Sequence, residues 1–203
     1  MNKLILTLLV AATSLAAFAQ GKISIVNDSS HLLYFGNSLK SGDAALAGQP
    51  LTFAATPSGA TFLVDIFGGA TAGSMTLQTT ATINPGSPGI FGPFGFVSPN
   101  LPGGATATMQ VKVRESGFAT AELAEAGGGY WGYSQIFTFA PSSSIAFNTL
   151  VNHGGTALST WTDGTVAVPG GFGAVMIPGL IPEPSSLALT GLGISALLLR
   201  RKR

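Results

Sequence analysis

Between residues 20 and 178 the apolar residues fall into short runs, each bounded by Gly, Pro, Ser or Asn. In "MQVKVRE" the alternation is strict. Met109, Val111 and Val113 lie on one face, and Gln110, Lys112 and Arg114 on the other. A period of two marks a β-strand with one face in the core and one face wet. "KISIV" (22–26), "HLLYF" (31–35), "TFLVDIF" (61–67), "MTLQTTATI" (75–83) and "TATMQVKVRE" (106–115) read as strands. So do "SQIFTF" (134–139), "TWTDGTVAV" (160–168) and "FGAVMI" (172–177). Asp163-Gly164 lies between two β-rich runs and signals a hairpin turn. About eight short strands with turn-rich connections predict an all-β fold, a single antiparallel β-sandwich of Ig-like or jelly-roll-like kind.

Two stretches depart from this pattern. "GFATAELAEAGGG" (117–129) is dense in Ala, Glu and Leu and closes on glycines. It predicts one short helix of about two turns, ending near Gly127. "NPGSPGIFGPFGFVSPNLPGG" (84–104) is dense in Gly, Pro and Phe. Proline cannot donate to a strand ladder, so this stretch reads as a long surface connection. Its Phe91, Phe94 and Phe96 are expected to pack down on the sheets.

The two ends are apolar in a different way. At the start, Lys3 precedes an apolar run from Leu4 to Phe18, and Ala17-Phe18-Ala19 offers small residues before Gln20. This is the layout of a secretory signal cleaved between Ala19 and Gln20, with a retained membrane helix as the alternative. At the far end, Ser185 to Leu199 form 15 residues without a charge. As a helix they span roughly 22 Å, short of a hydrocarbon core of about 30 Å. Pro182 and Pro184 make such a helix begin at or after Pro184. Arg200, Arg201, Lys202 and Arg203 would hold its end on the cytoplasmic side. The alternatives are a plain C-terminal membrane anchor and a buried core helix.

Pro182-Glu183-Pro184, the serine after it, the single short apolar run and the terminal basic cluster, in that order, resemble the PEP-CTERM sorting signal of Gram-negative bacteria. The resemblance covers Ile181 to Arg203. It implies export by the Sec machinery and signal peptidase, and recognition by an exosortase, a membrane-embedded transpeptidase-like enzyme that acts near the Pro-Glu-Pro motif. It also implies transient anchoring in the inner membrane, then delivery to the cell surface or extracellular matrix. "VKVRESGFATAELAEAGGGYWGYSQIFTF" resembles a recurring strand–helix–turn–strand core of PEP-CTERM proteins from the Verrucomicrobia–Planctomycetes group, and "GATFLVDIFGG" resembles an earlier strand of that domain. That likeness bears on fold and carries no activity. The chain then divides into a signal peptide (1–19), a β-sandwich domain (20–178) and a sorting and anchor segment (179–203).

Charge narrows the partners. The formal net charge of the chain is +1, but Lys3 and the terminal basic cluster supply most of the positive side. Between residues 20 and 180, Lys22, Lys40, Lys112 and Arg114 face Asp28, Asp43, Asp65, Glu115, Glu122, Glu125 and Asp163. A mildly acidic body argues against nucleic acid, whose phosphates require clustered Lys and Arg. The absence of cysteine excludes disulfides, thiolate metal sites and a cysteine nucleophile.

Catalytic signals are sparse. His31 reads as a strand residue and His153 as a loop residue; a hydrolase would need one of them in a pocket beside an acid, and no G-x-S-x-G elbow is present. The carboxylates show no calcium-loop spacing. Glu122 and Glu125, three apart on the expected helix, read as a solvated face. No metal, cofactor or catalytic residue is expected, and the body reads as a non-enzymatic structural or adhesive domain. The alternative is a carbohydrate-binding module for exopolysaccharide, with Tyr130, Trp131, Tyr133 and Trp161 stacking on sugar rings. Against it, Trp131 could fill the core under the helix while the tyrosines edge it.

Overall fold

The computed structural model describes residues 20–151 and 171–174. The signal segment with Ala17 and Ala19, the sorting segment with Pro182, Glu183, Pro184 and Arg200 to Arg203, and also His153, Trp161 and Asp163, lie outside the described residues. Among the described residues no helix is long and apolar enough to cross a membrane.

The fold is mostly β-strand, in largely antiparallel sheets. In chain order the elements are β1 (Gln20–Ile25), β2 (Leu32–Phe35), β3 (Phe62–Gly69), β4 (Thr76–Thr82), β5 (Phe94–Pro102) and β6 (Ala107–Glu115). Then come α1 (Ala121–Ala126), β7 (Trp131–Tyr133), β8 (Phe137–Phe139), β9 (Asn148–Thr149) and β10 (Gly171–Ala174). The largest sheet runs β4-β3-β6-β7, with β8 paired to β6 beyond the end of β7. Between β7 and β8 the ladder is kept by Ser134, whose N–H donates to Val111 O at 2.8 Å and whose Oγ accepts from Val111 N at 2.9 Å.

A second sheet runs β5-β1-β9, and a third pairs β10 with β2. Here two pairings depart from the expected antiparallel arrangement: β1 with β9 and β2 with β10 are parallel. Parallel neighbours need long crossover connections, which short-range turn signals do not reveal.

The stretch expected to be a surface connection contains β5, which pairs with β1 from Ile25↔Phe94 to Gly21↔Ser98. The register then jumps, so that Gln20 faces Pro102. Pro99 falls in the jump, where no ladder N–H is required. Ser98 Oγ accepts from Asn100 N and Leu101 N there, at 3.2 and 3.0 Å. Phe91 is buried and Phe96 packs against the core as expected, whereas Phe94 is exposed.

The inner faces of the sheets share one core. Ile23 and Ile25 of β1, Leu33 and Phe35 of β2, Val64 and Ile66 of β3, and Met109, Val111 and Val113 of β6 are all buried in it. The alternation in "MQVKVRE" thus gives the inner face its residues, and each fully buried side chain stabilises by about 1.5–3 kcal/mol. Rings of Phe35, Phe62 and Tyr130 meet edge-to-face at centroid distances of 5.5, 5.6 and 6.3 Å.

The helix lies where the sequence puts it. Thr120 caps its start, Oγ1 accepting from Leu123 N at 3.2 Å. Its end is a Schellman turn: Gly129 N donates to Ala124 O and Gly128 N to Glu125 O, with Gly128 at φ 72°. A Cβ at Gly127 would stand 2.5 Å from Phe118 Cε1, so that glycine makes room for the ring.

Candidate functional site

The chemistry-bearing residues collect in three places. The first is the outer face of β3, β6 and β7. Register pairs Asp65 with Lys112 and Lys112 with Tyr133, and pairs Leu63 with Arg114 and Arg114 with Trp131. This face was expected to be wet, yet Arg114 and Asp65 are only 11% and 5% exposed in their side chains. Arg114 Nε donates to Asp65 Oδ2 at 2.6 Å and Nη1 to Phe118 O at 2.5 Å, while Thr80 Oγ1 donates to Asp65 Oδ1 at 2.6 Å. The short helix packs here, on β6 and β7.

Beside this pair stands an aromatic cluster. Trp131 and Tyr133 lie 5.1 Å apart with planes tilted by 48°. Lys112 Nζ sits 4.3 Å from the Phe67 ring centroid and 5.3 Å from that of Tyr133. It also binds Glu122 Oε1 at 2.5 Å. Burial opposes the charge on Glu122, but the Lys112 ammonium holds its carboxyl below the usual range. Tyr133 donates to Glu125 Oε2 at 3.1 Å, and burial together with that carboxylate pushes its phenol well up. The two helix glutamates are therefore tied to the sheet rather than merely solvated. Trp131 Nε1 is buried and has no hydrogen-bond partner among the described residues.

The second place corrects an expectation. Tyr130, a candidate for sugar stacking, is 1% exposed and belongs to the core. Trp131 and Tyr133 are half-buried at the surface instead. The order is the reverse of a core tryptophan edged by tyrosines. The reason is register: Arg114 faces Trp131 across the ladder on the outer face, so its neighbour Tyr130 turns inward.

The Tyr130 hydroxyl donates to Asp43, a fully buried carboxylate that sequence reasoning did not single out. Asp43 also accepts from Thr56 Oγ1 at 3.0 Å, Ser58 N at 2.8 Å and Ser58 Oγ at 2.6 Å. Burial alone would raise its pKa. The donors of Ser58, Tyr130 and Thr56 outweigh burial and hold it below the ordinary 3.8. Lys40 and Glu115 flank the cluster, paired at 2.8 Å, and Lys40 N donates to the Tyr130 oxygen at 3.3 Å. A lone aspartate in the otherwise small and apolar "SGDAAL", with "TPSG" beginning 13 positions after it, was the available signal.

The third place is a cavity of about 190 Å³ lined by Val26, Asn27, Asp28, Thr149 and Val151. His31 stands next to it, buried, with Nδ1 2.6 Å from Asp28 Oδ1. Histidine beside an acid is the minimum a hydrolase needs, but both residues belong to one tight turn. Asp28 Oδ1 also accepts from Ser30 N at 2.9 Å, and His31 N donates to Asp28 O at 3.0 Å. Asn27 is fully engaged too, donating to His31 O and Gly89 O and accepting from Phe91 N. The arrangement orders the turn that leads into β2.

Among the described residues no group of three His, Asp or Glu side chains is placed to hold a metal ion. Comparison with protein-family models, with curated proteins and with solved structures finds no match for this chain.

Proposed function

We propose that the chain is an exported protein, sorted by an exosortase-like membrane enzyme to the cell surface or extracellular matrix. Its body, a β-sandwich in this reading, serves a structural or adhesive role rather than catalysis. The observation that carries the non-enzymatic part is the use of the acids. Asp28, Asp43, Asp65, Glu115, Glu122 and Glu125 each bond a residue of the fold itself. Side chains fixed in this way order turns, strands and the helix. The sorting part rests on the order of Pro182-Glu183-Pro184, the apolar run and Arg200 to Arg203. Export rests on the order of Lys3, the apolar run from Leu4 to Phe18 and the small residues Ala17 and Ala19 before Gln20.

The test is the intact mass of the protein from membrane and matrix fractions of its native host, with the exosortase gene present and deleted. A chain running from Gln20 to the neighbourhood of Pro184, outside the membrane only when the enzyme is present, is the expected result. A chain that still ends at Arg203 and stays in the membrane in both strains would overturn the sorting reading.

A second reading is favoured by the Trp131–Tyr133 pair, two half-buried rings side by side on an outer sheet face. Such a surface stacks on the apolar faces of sugars, and exopolysaccharide would be the ligand. Tyr130 takes no part in it, being in the core.

A further inference from the structure

We infer that Gln20 becomes a modified residue: once it heads the chain, its own α-amine closes on its side chain to give pyroglutamate. This rests on cleavage between Ala19 and Gln20, as proposed above. The reacting groups both belong to Gln20, which is exposed at the first position of β1. The next part of the strand is packed away. Gly21 and Ile23 are buried, and a Cβ at Gly21 would stand 2.7 Å from Leu101 O. The start of β1 therefore presents this one residue to solvent, with its amine and its carboxamide.

The step is an internal amide exchange and needs no co-reactant. The amine nitrogen attacks Cδ, the new N–Cδ bond closes a five-membered lactam, and the Cδ–Nε2 bond breaks. The nitrogen gives up a proton and ammonia leaves. The new amide lies within residue 20 and no carbonyl carbon precedes it, so ring closure imposes no φ on the strand. Opposite it in register is Pro102, at the far side of the jump between Gln20 and Gly21, where the regular ladder has already ended.

The location gives the modification a use. β1 is the middle strand of the β5-β1-β9 sheet, and its buried residues begin one position after Gln20. Aminopeptidases require a free α-amine. A lactam at Gln20 closes the exposed entry to the strand on which two others pair.

The experiment is mass spectrometry of the N-terminal peptide of the exported protein, isolated cold and near neutral pH so that handling does not drive ring closure. It is paired with sequential Edman degradation and with the Gln20→Ala variant. The expected peptide begins at residue 20, is lighter than the glutamine form by one ammonia, and is blocked to Edman chemistry. The alanine variant is readable by Edman chemistry and is shortened by aminopeptidase, while the native chain is not. A peptide that begins at Gln20 with a free amine, and keeps it on incubation at growth temperature, overturns the cyclisation and leaves the cleavage reading intact. A chain that begins elsewhere overturns both.

Discussion

Replacing Tyr130 with phenylalanine removes one oxygen from the buried Asp43 cluster and leaves the ring in the core. The Phe35 and Phe62 contacts, at 6.3 and 5.6 Å between centroids, remain available to the new ring. The loss is then confined to hydrogen bonding. Asp43, with no exposed surface, keeps Thr56 and Ser58 but loses the phenol, and Lys40 N loses an acceptor at 3.3 Å. A hydrogen bond to a charged group contributes about 1.5–3 kcal/mol, so a loss of about 2 kcal/mol is expected at neutral pH. For a domain of this size that lowers Tm by about 4–8 °C. The pH dependence distinguishes this cause from a packing defect. Asp43 has a folded pKa below its ordinary 3.8. The stability it contributes is fully present above that value and is lost as pH falls through the folded pKa. The phenol is one of the groups holding the pKa down, so the variant has less to lose in acid. The gap between the two proteins should narrow to about 1 kcal/mol once the carboxyl is neutral. Thermal unfolding by circular dichroism, from neutral pH down to well below the ordinary carboxylate range, measures both quantities. A variant melting within about 1 °C of the native protein at neutral pH, or a gap unchanged by acid, would refute the assignment.

The outer sheet face supplies two further tests. Arg114→Met should destabilise by about 3–5 kcal/mol, read by urea denaturation, because it leaves the Asp65 carboxylate buried without its cation; a loss under about 1 kcal/mol would mean that water reaches Asp65. Trp131→Ala should abolish retention of the body on insoluble polysaccharide if the aromatic pair is a sugar site, with the melting curve reporting fold loss separately; retention equal to that of the native protein removes the carbohydrate reading.

The strand pattern was legible wherever apolar and polar residues alternate. "MQVKVRE" reads correctly because its inner face meets only apolar neighbours, and the helix 121–126 because Thr120 and three glycines punctuate it. β5 was hidden because prolines and glycines argue against a strand locally, while its pairing with β1 depends on residues roughly 70 or more positions away in the chain. Asp43 was hidden for a related reason. Its partners at Thr56, Ser58 and Tyr130 lie 13 to 87 positions away, and the lone acid in "SGDAAL" does not by itself say which of them it meets. The aromatic stretch "YWGY" advertised its chemistry but not its facing. The one-residue parity of β7 against β6 decides which ring is core and which is surface.

The position of β1 sets the order in which the molecule can be completed. It is the first strand described, yet its neighbours are β5 and β9, and Lys22 reaches Ser144 across 122 positions. A chain that emerges N-terminus first, from a ribosome or an export channel, holds this strand unpaired until most of the body has emerged. Its two edges invite wrong partners during that wait. Pairing of the β5-β1-β9 sheet is therefore late in synthesis. This would make escort by a holding chaperone more valuable than early assistance to any local segment.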